Sequence, residues 1–140
     1  IFFFFLDNLP EKVLNFMDEI TLKTKNNNSV ILYVCLNYSG QIEIINMIKK
    51  IINSGVNPDK LTRDDCYKFM YQDLPPVDFV IRTSGEQRLS NFMLWQLAYT
   101  EFWFTETLWP DFDEECLMDA IEIYQKRNRR YGGLKGEEVN

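Results

Sequence analysis

Two arginines, a serine and a glycine-bearing turn stand close together in residues 81–91, Ile-Arg-Thr-Ser-Gly-Glu-Gln-Arg-Leu-Ser-Asn. Arg82 closes an apolar stretch, while Arg88 and Ser90 lead into an apolar-periodic run. Between the arginines, Thr83, Ser84 and Gly85 form a small turn whose backbone N–H groups can face a ligand. Forked guanidinium donors match phosphate oxygens, and hydroxyls and free N–H groups at a helix start add further donors. Such a group converging on one point is the chemistry of a phosphate or diphosphate site. Ser90 is expected at the N-cap of a helix over residues 91–99. A local alternative explains the same letters: Glu86 pairs with one of the arginines, and Ser90 only caps its helix. The residues alone leave both open, and the anion could be a nucleotide, a sugar phosphate or a lipid diphosphate.

The elements that must position these side chains are legible from apolar patterning. Near-continuous apolar runs at 2–6, 30–36, 79–82 and 102–105 have the character of parallel strands covered on both faces. Helical patterns alternate with them. The first follows Pro10, with Leu14, Met17 and Ile20/Thr21 forming a stripe. The second begins near Gln41 and is closed by Gly55, and a shorter one over 62–71 opens with Thr62 and Asp65 at capping-box spacing. The last starts in the acidic Pro-Asp-Phe-Asp-Glu-Glu segment and finishes in Lys-Arg-Asn-Arg-Arg-Tyr-Gly-Gly, a polarity that suits the helix dipole. This order predicts an α/β fold, one domain with a largely parallel central sheet flanked by helices. In such sheets ligands collect at the carboxyl ends of strands, where Arg82 stands. Only Lys-Thr-Lys-Asn-Asn-Asn and the tail 134–140 read as flexible.

Composition bounds the partners. The chain has 140 residues, 46% hydrophobic and 15% aromatic, enough for a packed core and unlike a disordered segment. A net charge of -6 argues against nucleic acid, which wants a basic face. With no histidine, mixed Cys/His zinc sites and histidine triads are excluded. Cys35, Cys66 and Cys116 are widely spaced in apolar surroundings and are expected as buried reduced thiols of a cytoplasmic protein. The opening Ile-Phe-Phe-Phe-Phe-Leu is too short to cross a bilayer and lacks the basic start of a signal peptide. It is expected as an interior strand, which implies neighbours encoded upstream.

Beyond composition, residues 78–114 and the later Arg-Arg-Tyr-Gly-Gly resemble the C-terminal half of the cis-prenyltransferases, the undecaprenyl or dehydrodolichyl diphosphate synthase family. The carriers are the Arg-Thr-Ser-Gly-Glu-x-Arg-x-Ser-Asn signature, the Trp-Pro-x-Phe segment and, upstream, a strand, Asn-Tyr-Ser-Gly turn and helix resembling the family's Asn-Tyr-Gly-Gly region. The similarity runs from about residue 6 to residue 133. It implies repeated cis addition of isopentenyl diphosphate to an allylic diphosphate, with farnesyl diphosphate the expected acceptor, using Mg²⁺. By motif position Arg82, Arg88 and Ser90 would hold isopentenyl diphosphate, with Leu89 contributing its backbone. Glu101 matches the carboxylate the family associates with Mg²⁺. Arg130 and Gly132 match the Arg-x-Gly motif that reaches into the partner subunit's site, which implies a homodimer. The setting implied is cytoplasmic with peripheral membrane contact, at the endoplasmic reticulum in a eukaryote. Were residues 91–101 one helix rising ~1.5 Å per residue, Glu101 and Ser90 would lie roughly 16 Å apart. Glu101 would then bind metal across a dimer interface or serve a structural part. The aromatics Phe92, Trp95, Tyr99, Phe102, Trp103 and Phe104 are expected in the core and dimer interface rather than in a lipid tunnel wall.

Departures from the family pattern matter equally. No Asp-Gly-Asn-x-Arg motif, the family's seat of the catalytic aspartate, occurs here. The whole span 1–140 is therefore expected to be the C-terminal portion of a cis-prenyltransferase domain, inactive alone. Gln41 stands where the family usually has arginine, Ser39 replaces a turn glycine, and Gln87 stands where bacterial members often carry histidine. The runner-up is a non-catalytic partner subunit of a heteromeric enzyme, although such subunits typically lose the arginine signature retained here. A generic phosphate-binding module is more distant.

Overall fold

The computed structural model describes residues 2–4 and 9–128. The chain forms two compact units, Ile1–Asp73 and Leu74–Asn140.

In the first unit β1 (Phe2–Phe4) pairs in parallel with β2 (Val34–Leu36), Phe2 opposite Val34 and Phe4 opposite Leu36. Between them runs α1 (Glu11–Thr24), entered from Pro10, whose φ of -59° and carbonyl suit the first turn. The Pro10 carbonyl accepts from the amides of Val13 and Leu14 at 2.9 and 3.2 Å. β2 is shorter than the apolar run 30–36 suggested. Val30, Ile31 and Leu32 are exposed, and the ladder with β1 begins at Val34. α2 (Gly40–Ser54) starts at Ser39, whose hydroxyl accepts from the Ile42 amide, and stops at Gly55. Gly55 has φ 71°, a left-handed conformation that glycine adopts without a Cβ penalty. α3 (Arg63–Phe69) opens on the expected capping box, Thr62 and Asp65 each accepting from the other's amide at 3.2 Å. Met17, Met47, Cys66 and Met70 form the buried apolar set of this unit.

The second unit is built on β3 (Phe79–Arg82) and β4 (Glu101–Phe104), again parallel, with Phe79 opposite Glu101 and Arg82 opposite Phe104. α4 (Glu114–Gln125) follows, capped by Asp113, whose carboxylate accepts from the Cys116 amide at 3.0 Å. It ends before the basic segment, with Lys126 as the capping residue. The α/β class and the parallel pairing are as expected from the apolar runs; among the described residues the strands form two two-stranded ladders. The expected helix over 91–99 is absent. Ser90, Asn91 and Met93 take φ values of 49°, 63° and 45°, and left-handed residues cannot propagate a right-handed helix. The segment is instead a run of turns, with isolated bonds such as Phe92 N–H to Leu89 C=O at 3.0 Å. The thiols of Cys35, Cys66 and Cys116 are free, and only Cys66 is fully buried. No described helix is long and apolar enough to cross a membrane.

Candidate functional site

Arg82 is the last residue of β3, so its side chain leaves the sheet at the carboxyl edge. The turn beyond it is tied to the exit of β4. Thr105 N–H donates to the Arg82 carbonyl at 3.0 Å, Ser84 N–H to Thr107 at 2.8 Å, and Gly85 N–H to Thr105 at 2.9 Å. The Ser84 and Gly85 amides are thus engaged by backbone and do not face a ligand, contrary to the expectation from sequence. Both residues have φ 68°. At Gly85 a Cβ would lie 2.7 Å from Glu106 Oε2, so a side chain there would meet a left-handed backbone and would have to move the Glu106 carboxylate.

This bracing carries the chain round so that Arg82, Arg88 and Leu89 line one pocket of about 210 Å³. Its remaining walls are Val80, Ile81, Phe92, Phe102 and Phe104. Three of the aromatics expected in core or interface therefore wall the arginine pocket. The signal was present in β4: residues two apart on a strand share a face, and the Phe102 and Phe104 rings stack at 5.9 Å. The two arginines differ. Arg82 Nε is buried without a hydrogen-bond partner. Arg88, its side chain 66% exposed, pairs through Nη1 with Glu86. The local alternative of a Glu86 pair is therefore realised for Arg88 and not for Arg82.

The other expected residues are not gathered here. Ser90 lies in the following turn, outside the pocket lining and with φ 49° in place of the extended N-cap conformation. Glu101 is the first residue of β4, opposite Phe79, whereas Phe104 faces Arg82. Three strand residues span about 10 Å, so Glu101 sits at the far end of the ladder from Arg82. The helical 16 Å estimate falls with the helix, yet the separation remains. Glu101 approaches Arg127 at 4.0 Å. Among the described residues no group of three or more His, Cys, Asp or Glu could hold a metal. Arg130 and Gly132 lie outside the described residues.

A second polar cluster occupies the first unit. Glu43, on α2, is 3% exposed and accepts from the Tyr38 hydroxyl and, at 3.2 Å, from the Tyr71 amide. Asn46 donates to the Tyr71 hydroxyl at 2.9 Å, and Lys50 to the Met70 carbonyl at 3.0 Å. Burial, reinforced by the Glu43 charge, raises the Cys35 thiol above its ordinary pKa. Burial likewise raises the Tyr71 phenol. Glu43, Asn46 and Lys50 follow the spacing of one helix face, and that face is fastened to residues 70–71.

A pocket that joins two arginines to aromatic walls can take an anion that carries an apolar part. Residues 4–132 match the prenyltransferase family described as undecaprenyl diphosphate synthase. The isoprenyl transferase of Fusobacterium nucleatum is 45% identical over 129 residues, 92% of this chain and 55% of that protein. That of Halalkalibacterium halodurans is 48% identical over 134 residues, 92% and 52%. The chain spans about half the length of the curated relatives it matches. Among solved structures, a probable undecaprenyl diphosphate synthase of Campylobacter jejuni aligns with a TM-score of 0.81 at 28% identity, covering 94% of this chain and 62% of the other. Lavandulyl diphosphate synthase of Lavandula x intermedia, solved with dimethylallyl diphosphate, aligns at 0.82 with 31% identity, over 94% and 59%. The chain belongs to this prenyltransferase family.

Proposed function

We propose that the full enzyme condenses isopentenyl diphosphate onto an allylic diphosphate such as farnesyl diphosphate. The product would be a long-chain polyprenyl diphosphate of the undecaprenyl or dolichol type. This chain would supply the isopentenyl-diphosphate half of the site. The observation that carries the reading is the buried, unpartnered Nε of Arg82 beside Arg88 in an aromatic-walled pocket. A buried donor without a partner is unfavourable, and a diphosphate oxygen would satisfy it. The diphosphate would lie across Arg82 and Arg88 near Leu89, with the five-carbon group against Phe92, Phe102 and Phe104. Ser90 would contribute after a local change of the 90–93 turns.

Mg²⁺ belongs to this reading as the ion that neutralises a leaving diphosphate. Glu101 would hold the ion with diphosphate oxygens, across a homodimer, since it stands at the far end of the ladder from Arg82. Arg130 and Gly132 would reach the partner's site in that assembly. A cytoplasmic enzyme with peripheral membrane contact suits a lipid product.

Calorimetric titration of isopentenyl diphosphate tests the site: saturable binding is expected, weakened at least about tenfold by Arg82→Ala and by Arg88→Ala, the scale of a lost charge-assisted contact. Absence of saturable binding would sink it. The chain of 140 residues is expected to incorporate no labelled isopentenyl units with farnesyl diphosphate and Mg²⁺; measurable turnover would refute the assignment of only half a site.

A further inference from the structure

We propose that Glu86 sets the affinity of the arginine pocket by competing with the bound diphosphate for Arg88. The inference rests on the diphosphate reading above and goes one step beyond it. Arg88 lines the pocket and is at the same time ion-paired with Glu86, two residues before it. Any anion that engages Arg88 therefore meets a carboxylate already on that guanidinium.

Two roles are open to a carboxylate in that position, and the geometry separates them. A residue that orients an arginine for a ligand holds the guanidinium plane, which needs a two-pronged contact and shielding from water. Glu86 makes a single-atom contact to Nη1, with its own side chain 36% exposed and that of Arg88 66% exposed. Exposed pairs of this kind are weak and easily exchanged. A diphosphate offers more charge and more acceptor oxygens than the carboxylate. Displaced, Glu86 turns into solvent at little cost.

The two arginines thereby take different parts. Arg82, its Nε buried and unpartnered, is the fixed donor that receives the anion. Arg88 is an exposed arm paired with Glu86, and an anion that engages it must give up that weak pair. Glu86 is thus an affinity-setting residue: every anion that reaches Arg88 binds a little more weakly than it would without the carboxylate.

The test is a double-mutant cycle read by calorimetric titration of inorganic pyrophosphate into the chain at low salt. Glu86→Gln is expected to tighten binding about two- to fivefold, the range of an exposed pair, with Glu86→Ala doing the same. In an Arg88→Ala background Glu86→Gln is expected to change nothing. Unchanged or weaker binding of both Glu86 variants would overturn the proposal, weaker binding marking an orienting role. A gain that persists without Arg88 would overturn it too, since the effect would then be general charge. Failure of the underlying site has a different signature: no pyrophosphate binding by the wild-type chain, or binding indifferent to Arg82→Ala and Arg88→Ala.

Discussion

Glu43 and Arg82 both place polar atoms away from water, the whole of Glu43 and the Nε of Arg82, and the protein treats them in opposite ways. Around Glu43 the fold supplies donors: the Tyr38 hydroxyl and the Tyr71 amide, with Asn46 and Lys50 completing the attachment of α2 to residues 70–71. Around Arg82 it supplies apolar walls and leaves Nε without a partner. A buried charge with its partners in the same unit is part of the architecture. A buried donor left unmatched beside a pocket is where the proposed diphosphate would place an oxygen. The difference separates structural from binding polarity without reference to any relative.

The largest expected effect tests the structural side. Glu43→Ala removes the acceptor of two donors in a buried place and should lower stability by about 3 kcal/mol in urea unfolding. Arg82→Ala should stay within about 0.5 kcal/mol of wild type in the same assay while losing anion binding. If the two variants were equally destabilised, the contrast would fail. Next comes the turn that aims Arg82. Gly85→Ala should cost about 2 kcal/mol, from the left-handed backbone and from contact with Glu106. Combining it with Glu106→Ala should recover only part of that loss, since the φ of 68° remains. Glu86→Gln is smaller: pyrophosphate affinity rises two- to fivefold, under about 1 kcal/mol.

The smallest effect concerns an exposed carboxylate of the first unit. Asp65 is held at about 2, below the ordinary 3.8, mainly by the Lys68 ammonium and then by the Thr62 hydroxyl and amide. Its folded pKa is depressed, so its contribution is present above about pH 4 and is lost as pH falls from 4 toward 2. Asp65→Asn should flatten that part of the stability-versus-pH curve. An unchanged slope would show that the capping box is not held by ionised Asp65.

Much of this was legible in the residues. Apolar runs located each strand among the described residues, and Gly55, Thr62 with Asp65, and Pro10 marked helix boundaries, since each acts within one turn of its own backbone. The run 79–82 was right at both ends. Failures came where the local pattern was overridden. Residues 91–99 carry a helical period, yet the left-handed Ser90, Asn91 and Met93 break the ladder, and the Ser90 cap fails with it. Val30–Leu32 are as apolar as the strand they precede, yet they are exposed and the ladder begins only at Val34.

The site divides along the same line. By itself the sequence determined that Arg82 ends a parallel strand and that Gly85 follows in a turn, because strand ends and turns are short-range properties. It also carried the motif that marks the family. Only the tertiary structure decided that the Ser84 and Gly85 amides are engaged by Thr107 and Thr105, and that Phe92, Phe102 and Phe104 wall the pocket. It alone set Glu101 about 10 Å along the ladder from Arg82. It alone showed that Arg88 has a carboxylate partner while Arg82 Nε has none. Those outcomes depend on strand register and on which groups burial deprives of water, and both arise only when distant segments pack.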